Sequence, residues 1–292
     1  MSHSDMKIII RTMRKDDLLS VLALINAEGW DYNLVDVDRI LEIDPEDSVA
    51  AFSGGELVGA TTVACHEGRG VLGHVVVKDG WRKKGIGKDM MIRVIEKLEA
   101  KRIAIIELYS VPTAVAFYKQ LGFRKIGDLM IFVGSIKTPI ATVTSNAIIG
   151  DLNAHDLESV KDLDRRIVGF ERGNVIEKLM IPHLGQSVGL FEKGRLVGFA
   201  LGRFGGDSAE IGPWIMERPN RNDAAALFKA AMDKLGNRKT YIEVPDENKT
   251  ALQIVAESGL NPQYPVQRFV RTKSEVRQFG PGVMSYAALE YG

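Results

Sequence analysis

Val75-Val-Val-Lys-Asp-Gly-Trp-Arg82-Lys-Lys-Gly85-Ile-Gly87-Lys88 is the stretch that decides how this 292-residue chain is read. Its β-branched start suits a strand. The run breaks into a basic turn with two glycines, and Asp89 to Lys101 then sets Met90, Met91, Val94, Ile95 and Leu98 at helical spacing. Arg82 to Gly87 is therefore expected to form a helix's first turn, whose N–H groups have no intrahelical partner. Gly85 and Gly87 leave that backbone open, the helix dipole adds partial positive charge, and Arg82, Lys83, Lys84 and Lys88 surround it, so the stretch reads as an anion cradle. Two familiar phosphate loops fail the comparison. A dinucleotide fingerprint would need a third glycine where Met90 stands, and a Walker A loop would need Ser or Thr where Asp89 stands.

A second segment follows about thirty residues on: Ala114-Val-Ala-Phe-Tyr118-Lys-Gln-Leu-Gly122-Phe123. Val77 followed by Arg82-x-x-Gly85-x-Gly87, together with this Tyr-and-Gly-Phe segment, resembles the acyl-CoA signature of the GNAT superfamily of N-acetyltransferases. The resemblance implies acetyl-CoA as co-substrate; the five histidines show no ligand-like pairing with one another or with Cys65, so no metal is expected. The resemblance also implies a pantetheine arm along the backbone of Val75, Val76 and Val77, and a pyrophosphate on Arg82, Lys83, Lys84, Gly85, Ile86, Gly87 and Lys88. The strand carrying Val71 to Val77 would splay from its neighbour, Ile103 to Tyr109, to admit that arm. Tyr118 takes the family's general-acid position, protonating the departing thiolate.

The base stays open. His74 titrates near neutrality, but strand alternation puts it on the face opposite Gly73, Val75 and Val77 unless a bulge reverses it. Glu28 and Asp31 are the other candidates. They lie in Glu28-Gly-Trp30-Asp31-Tyr-Asn33, the loop that overlies the acceptor pocket in the fold resembled, so Trp30, Asp31 and Asn33 are expected to meet substrate. The sequence departs from the family at two places: Val71 replaces a frequent carboxylate or histidine, and Val111 replaces a usual Asn.

Composition bounds the partners. Thirty-eight basic residues balance thirty-eight acidic ones, which argues against nucleic acid and anionic membrane as partners. One cysteine excludes an internal disulfide, no run is long enough for a span or signal core, and a cytoplasmic address is the simplest expectation. A monomer or homodimer is expected.

The chain also repeats itself. Arg14-Lys-Asp-Asp-Leu-Leu-Ser-Val21 aligns with Asn153-Ala-His-Asp-Leu-Glu-Ser-Val160, and Ser48 to Gly59 aligns with Ser187 to Gly198, both at an offset of 139 residues. The expected architecture is a mixed α/β (α+β) fold of two tandem GNAT-like domains, 1–138 and 139–292, each a mostly antiparallel sheet flanked by helices. A linker is expected near Gly134 to Thr144. At the same offset Gly85 and Gly87 become Ala224 and Ala226, and with slightly smaller offsets Glu107 meets Glu243 and Tyr118 meets Val255. The second copy therefore reads as catalytically silent. Its letters, Gly169-Phe-Glu-Arg172, Val197 to Arg203 and Ile211-Gly-Pro-Trp214, resemble the C-terminal domain found beside a GNAT domain in a widespread family of uncharacterised acetyltransferases. Arg203 and Trp214 are expected to help shape the substrate site. Gly185-Gln-Ser-Val-Gly189 matches a nucleophile elbow only in letters, because the strand follows the serine instead of preceding it.

The expected activity is transfer of an acetyl group to the primary amine of a small molecule in a ternary complex. A protein N-acetyltransferase and a non-catalytic acyl-CoA-binding regulatory module are the alternatives.

Overall fold

The computed structural model describes residues 7–135, 147–276 and 278–292. The expected linker lies almost wholly outside the described residues, as does the 138/139 boundary. The first half runs β1 (Ile8–Thr12), α1 (Leu18–Asn26), α2 (Leu34–Ile43), β2 (Val49–Ser53), β3 (Glu56–His66), β4 (Arg69–Val77), α3 (Ile86–Ala100), β5 (Ile105–Ser110), α4 (Val115–Gln120) and β6 (Arg124–Gly134). The second half follows with β7 (Ile148–Asp151), α5 (Leu157–Val168), α6 (Gly173–Met180), β8 (Val188–Glu192), β9 (Arg195–Gly205) and β10 (Ser208–Met216). It ends with α7 (Arg221–Leu235), β11 (Lys239–Pro245), α8 (Lys249–Glu257), β12 (Asn261–Arg271) and a short tail strand, β13 (Val283–Ser285). No helix among the described residues is long and apolar enough to cross a membrane.

The offset of 139 is realised element by element, since β2 and β8, β3 and β9, and β4 and β10 begin at that spacing. It then shrinks. Eight residues separate β4 from α3, but only four separate β10 from α7. The later pairings shift accordingly: the parallel ladders match Arg69 with Ile105 and Ser208 with Lys239, so Glu107 corresponds to Tyr241, and Tyr109 to Glu243. The sequence alignment of Glu107 with Glu243 is thus two residues out. A ladder counts residues directly, whereas letter matching across a deletion does not.

The halves do not close separately. One sheet runs β1-β2-β3-β4-β5-β12-β6-β11-β10-β9-β8-β7, with β13 on β10. β12 pairs antiparallel with β5 of the first half, from Gln267 opposite Ser110 to Arg271 opposite Ile106. β6 pairs with β11 of the second half, from Gly134 opposite Thr240 to Leu129 opposite Pro245. Each half thus lends its sixth strand to the other. A buried ion cluster locks the exchange. Arg268 on β12 donates through Nε and Nη2 to Glu107 on β5 at 2.7 and 2.9 Å, Arg69 adds a second guanidinium, and Tyr109 Oη donates at 2.5 Å. Burial pushes the Glu107 carboxyl up, but the charges of Arg268 and Arg69 outweigh it and leave its pKa below the usual value.

Packing, more than capping, holds α3. Ile86, Met90, Met91, Val94, Ile95 and Leu98 are all buried, the stripe that the spacing predicts. Each such side chain contributes about 1.5–3 kcal/mol, against about 1 kcal/mol for a side-chain cap, and the N-cap residue Gly85 supplies none. The apparent nucleophile elbow dissolves as expected: Ser187 is fully buried just before β8 and donates to His183 O at 3.0 Å.

Candidate functional site

The β4–β5 ladder is where the site begins. It runs only from Arg69–Ile105 to Leu72–Leu108. Beyond Leu72 the two strands part, and the backbone of Gly73 to Val77 keeps β3 on one side with no strand among the described residues on the other. At the top of this wedge the chain passes through left-handed Lys83 (φ 61°) and Gly85 (φ 85°) into α3. The turn from Arg82 to Gly85 is exposed, as is Lys88. Gly85 is the residue that tolerates this conformation without strain, and its turn leaves the first N–H groups of a fifteen-residue helix facing outward among cations. These features fit a pantetheine-diphosphate ligand. Arg82 is anchored meanwhile by donating Nε to Val77 O at 2.9 Å and by an ion pair with Glu28, which ties Glu28 to the cradle.

His74 is the point at which alternation misleads. Between Gly73, opposite Thr62, and Val76, opposite Ala60, β4 carries one extra residue. His74 takes a positive φ of 44° there, and the bulge puts its ring on the face of Gly73 and Thr62, where it lines the cavity beside Tyr32, opposite the Val75 and Val77 side chains. Its Nδ1 meets Thr62 Oγ1 at 2.9 Å, and Tyr32 stands edge-on with ring centroids 4.4 Å apart. Nε2 is buried without a hydrogen-bond partner. Burial lowers the His74 pKa to about 3, so the ring is neutral at ordinary pH. The second half bulges at the corresponding place, between Ile211 and Trp214, with Pro213 where His74 stands.

A cavity of about 370 Å³ opens between this wedge and the second half. Tyr118, Val75 to Val77 and Arg82 line one side, with Glu28, Trp30, Asp31 and Tyr32 from the α1–α2 loop. Burial raises the Tyr118 phenol to about 12, so it carries its proton at neutral pH and can give it up to a stronger base. The other side holds Arg203, Glu210, Tyr241 and Glu243, and the C-terminal segment adds Ala288, Leu289 and Glu290.

Two expected substrate residues stand elsewhere. Asn33 is the N-cap of α2, its side chain accepting from Val35 N at 2.8 Å and Asp36 N at 3.1 Å. Trp214 is fully buried against Phe228, ring centroids 5.2 Å apart, beneath the sheet. Arg203 does line the cavity, yet its guanidinium is committed to Gly212 O at 2.8 Å, Ala287 O at 2.9 Å and an ion pair with Glu210.

Glu210 and Glu290 carried no functional reading in the sequence. Glu210 could have been found, because it lies 139 residues after Val71, the position where the family often has a carboxylate. Glu290 had no local signal. It reaches the site because the tail crosses back to the first half: its Oε2 accepts from Tyr32 Oη at 3.0 Å, and its Cβ would stand 2.7 Å from a Cβ on Gly73. Only glycine at 73 lets the tail lie that close to the bulge.

The corresponding wedge of the second half is filled by its own chain. β13 lies antiparallel on β10, Ser285 Oγ accepts from Trp214 N at 3.1 Å, Met216 N donates to Gly282 O at 2.8 Å, and Tyr286 N donates to Glu243 O at 3.0 Å on β11. The anion cradle is missing too. Four residues are deleted, and Asn220 caps α7 by accepting from Asp223 N at 3.0 Å. Elsewhere, Asp44, Asp47 and Cys65 bring ligand-type atoms together. Asp47 is already bound by Lys101 at 2.7 Å, Asp44 accepts two backbone N–H groups, and burial with nearby carboxylates keeps Cys65 a thiol.

Residues 27–142 match a family model described as an acetyltransferase (GNAT) domain, and residues 160–279 match a second model of the same description. Among curated proteins, the chain is similar to GCN5-related N-acetyltransferase 1, chloroplastic, of Arabidopsis thaliana, with 43% identity over 53 residues, 18% of this chain and 27% of that protein. Serotonin N-acetyltransferase 2, chloroplastic, of Oryza sativa subsp. japonica is 32% identical over 83 residues, 28% of this chain and 42% of that protein. The chain thus matches less than half the length of either relative. A Pyrococcus horikoshii protein solved as a candidate acetyltransferase has the same fold, with a TM-score of 0.81 at 19% identity over 100% of this chain and 99% of that one.

Proposed function

We propose that this chain, which belongs to the GNAT acetyltransferase family and carries two of its domains in tandem, is an acetyl-CoA-dependent N-acetyltransferase acting on the primary amine of a small molecule. The observation that carries this reading is the wedge past Leu72, opening into a cavity of about 370 Å³ whose far wall is acidic. A pocket of that size suits a small acceptor.

In this reading Gly73 to Val77 offer backbone groups to the pantetheine arm, and the left-handed turn ending at Gly85 offers its N–H groups and cations to the diphosphate. Acetyl-CoA supplies a thioester carbonyl. An amine, stripped of its proton, attacks that carbon, so a C–N bond forms and the C–S bond breaks. Tyr118 gives its proton to the leaving thiolate and is recharged by the proton lost from nitrogen. The net reaction turns an ammonium and a thioester into an amide, a thiol and one proton. His74, neutral and unpartnered at Nε2, orients the nitrogen by accepting a hydrogen bond. Glu290, pushed to about 7 by burial and the charge of Glu210, is a better-matched base than Glu28, whose carboxylate is bound to Arg82. Residues 1–138 hold acetyl-CoA and supply Tyr118 and His74, and 139–292 supply Glu290 and shape the acceptor pocket.

Thiol release from acetyl-CoA across a panel of small amines tests this directly. Turnover with free amines supports it. Turnover only on a protein substrate, or acetyl-CoA binding with no turnover, refutes it.

A further inference from the structure

The acceptor wall has an excess of negative groups with a particular arrangement. Glu210 on β10, Glu243 on β11 and Glu290 in the tail converge on the cavity, Glu243 and Glu290 buried and Glu210 half-buried. Cations nearby are few. Arg39 is 3.2 Å from Asp36, and Arg203 pairs with Glu210. Glu243 and Glu290 make no direct ion pair among the described residues and feel Arg203 only at longer range. Glu243 is 6% exposed, touches the Glu210 carboxyl, and its Oε2 has no N–H donor. Buried carboxyls of this kind are costly unless something charged arrives to pair with them.

Resting on the N-acetyltransferase reading above, we infer that the acceptor is an alkyl diamine or polyamine whose reacting nitrogen docks beside Glu290 and His74 while a second ammonium pairs with Glu243. The two carboxyls face the ligand from different walls. Glu290 sits on the β4 bulge, against Gly73 and Tyr32, where the thioester wedge opens. Glu243 sits on β11 of the second half, against Glu210. Between them the cavity is lined by Tyr241, Tyr264, Val266 and Leu289, a surface suited to methylenes. A free amino acid would bring its own carboxylate to the acidic wall and be repelled.

Burial raises the pKa of all three glutamates, the charge of Glu210 adding to it at Glu243 and Glu290 and that of Asp36 at Glu210, against the attraction of Arg203. The ligand-free pocket therefore stores protons that a dication displaces. Tyr32 Oη, the Tyr264 and Tyr291 phenols and Asp36 also face the cluster, and the neutral His74 ring stands beside Tyr32.

The test measures kcat/KM by thiol release for an α,ω-diamine, the monoamine of equal chain length and an α-amino acid, with wild type and Glu243→Gln. One charge-assisted contact predicts a diamine preference of about 10- to 100-fold over the monoamine in wild type. Glu243→Gln should bring that ratio to within a few-fold by slowing the diamine alone. Equal rates in wild type, or an undiminished preference in the variant, would overturn the assignment while leaving the N-acetyltransferase reading intact. Absence of thiol release with every amine, with acetyl-CoA still bound, would overturn the broader reading instead. Should the variant fail to fold, wild-type thermal shifts decide: the diamine must raise the melting temperature more than the monoamine at equal concentration, and equal shifts refute the proposal.

Discussion

Replacing Glu290 by Gln should make the ligand-free protein more stable at pH 8 and leave it nearly unchanged at pH 5. The cause is the position of Glu290 under the tail, where burial and the charge of Glu210 raise its pKa from 4.5 to about 7, against the pull of Arg203. The folded state thus holds this proton more tightly than the unfolded chain does. Stability from the group is full below pH 4.5 and is lost as the pH rises through 7. At about 1.4 kcal/mol for each pH unit between those values, the loss approaches about 3 kcal/mol. With an unfolding entropy of about 2.1 cal/mol/K per residue, the whole chain converts this to about 5 °C in melting temperature. The His74 ring acts in the opposite direction, because its pKa is lowered to about 3 and its contribution is lost as the pH falls below 6.5. It is common to both proteins and cancels in the difference. Calorimetric melts of wild type and Glu290→Gln at pH 5, 6, 7 and 8 should show the gap in favour of the variant widening by about 4 °C across the series. A constant gap would refute the buried, proton-holding state of Glu290 and with it the tail's place in the cavity.

Tyr118→Phe should lower kcat by about 10²- to 10⁴-fold with little change in acetyl-CoA affinity, measured by steady-state kinetics beside calorimetry; unchanged turnover would remove Tyr118 from the acid role. Gly85→Ala should do the reverse, weakening acetyl-CoA binding because φ 85° strains an alanine by about 1–2 kcal/mol. Calorimetric titration should give one acetyl-CoA per chain, since β13 fills the second wedge; two equivalents would show that the tail is displaced. Glu107→Gln should cost about 3–5 kcal/mol in denaturant unfolding, because it leaves two buried guanidiniums, Arg69 and Arg268, without their carboxylate.

The legible parts of this protein are those set by neighbours in sequence. The α3 stripe, the hairpin signal at Ser53-Gly-Gly-Glu between β2 and β3, and the glycine turn before α3 all follow from periodicity and local steric rules, and the structure has them where the letters put them. His74 marks the first limit. One inserted residue reverses a face, and nothing in Leu72 to Val77 marks the insertion except its partner strand. Trp214 and Asn33 mark a second: an aromatic side chain and an amide look alike as ligands, cores or caps until the packing is known.

By itself the sequence determined the family, the duplication at an offset of 139 and the loss of the phosphate turn from the second copy, because each depends on short-range spacing that a linear pattern preserves. Tertiary structure alone decided the exchange of β6 and β12, the plugging of the second wedge by β13, and the delivery of Glu290 to the first half's cavity. The strand exchange and the Glu290 contact join residues more than a hundred positions apart, and the β13 ladder joins residues about seventy apart. They are chosen by which exposed strand edge and which buried charge can be satisfied once both halves are folded, and that competition leaves no local mark in the chain.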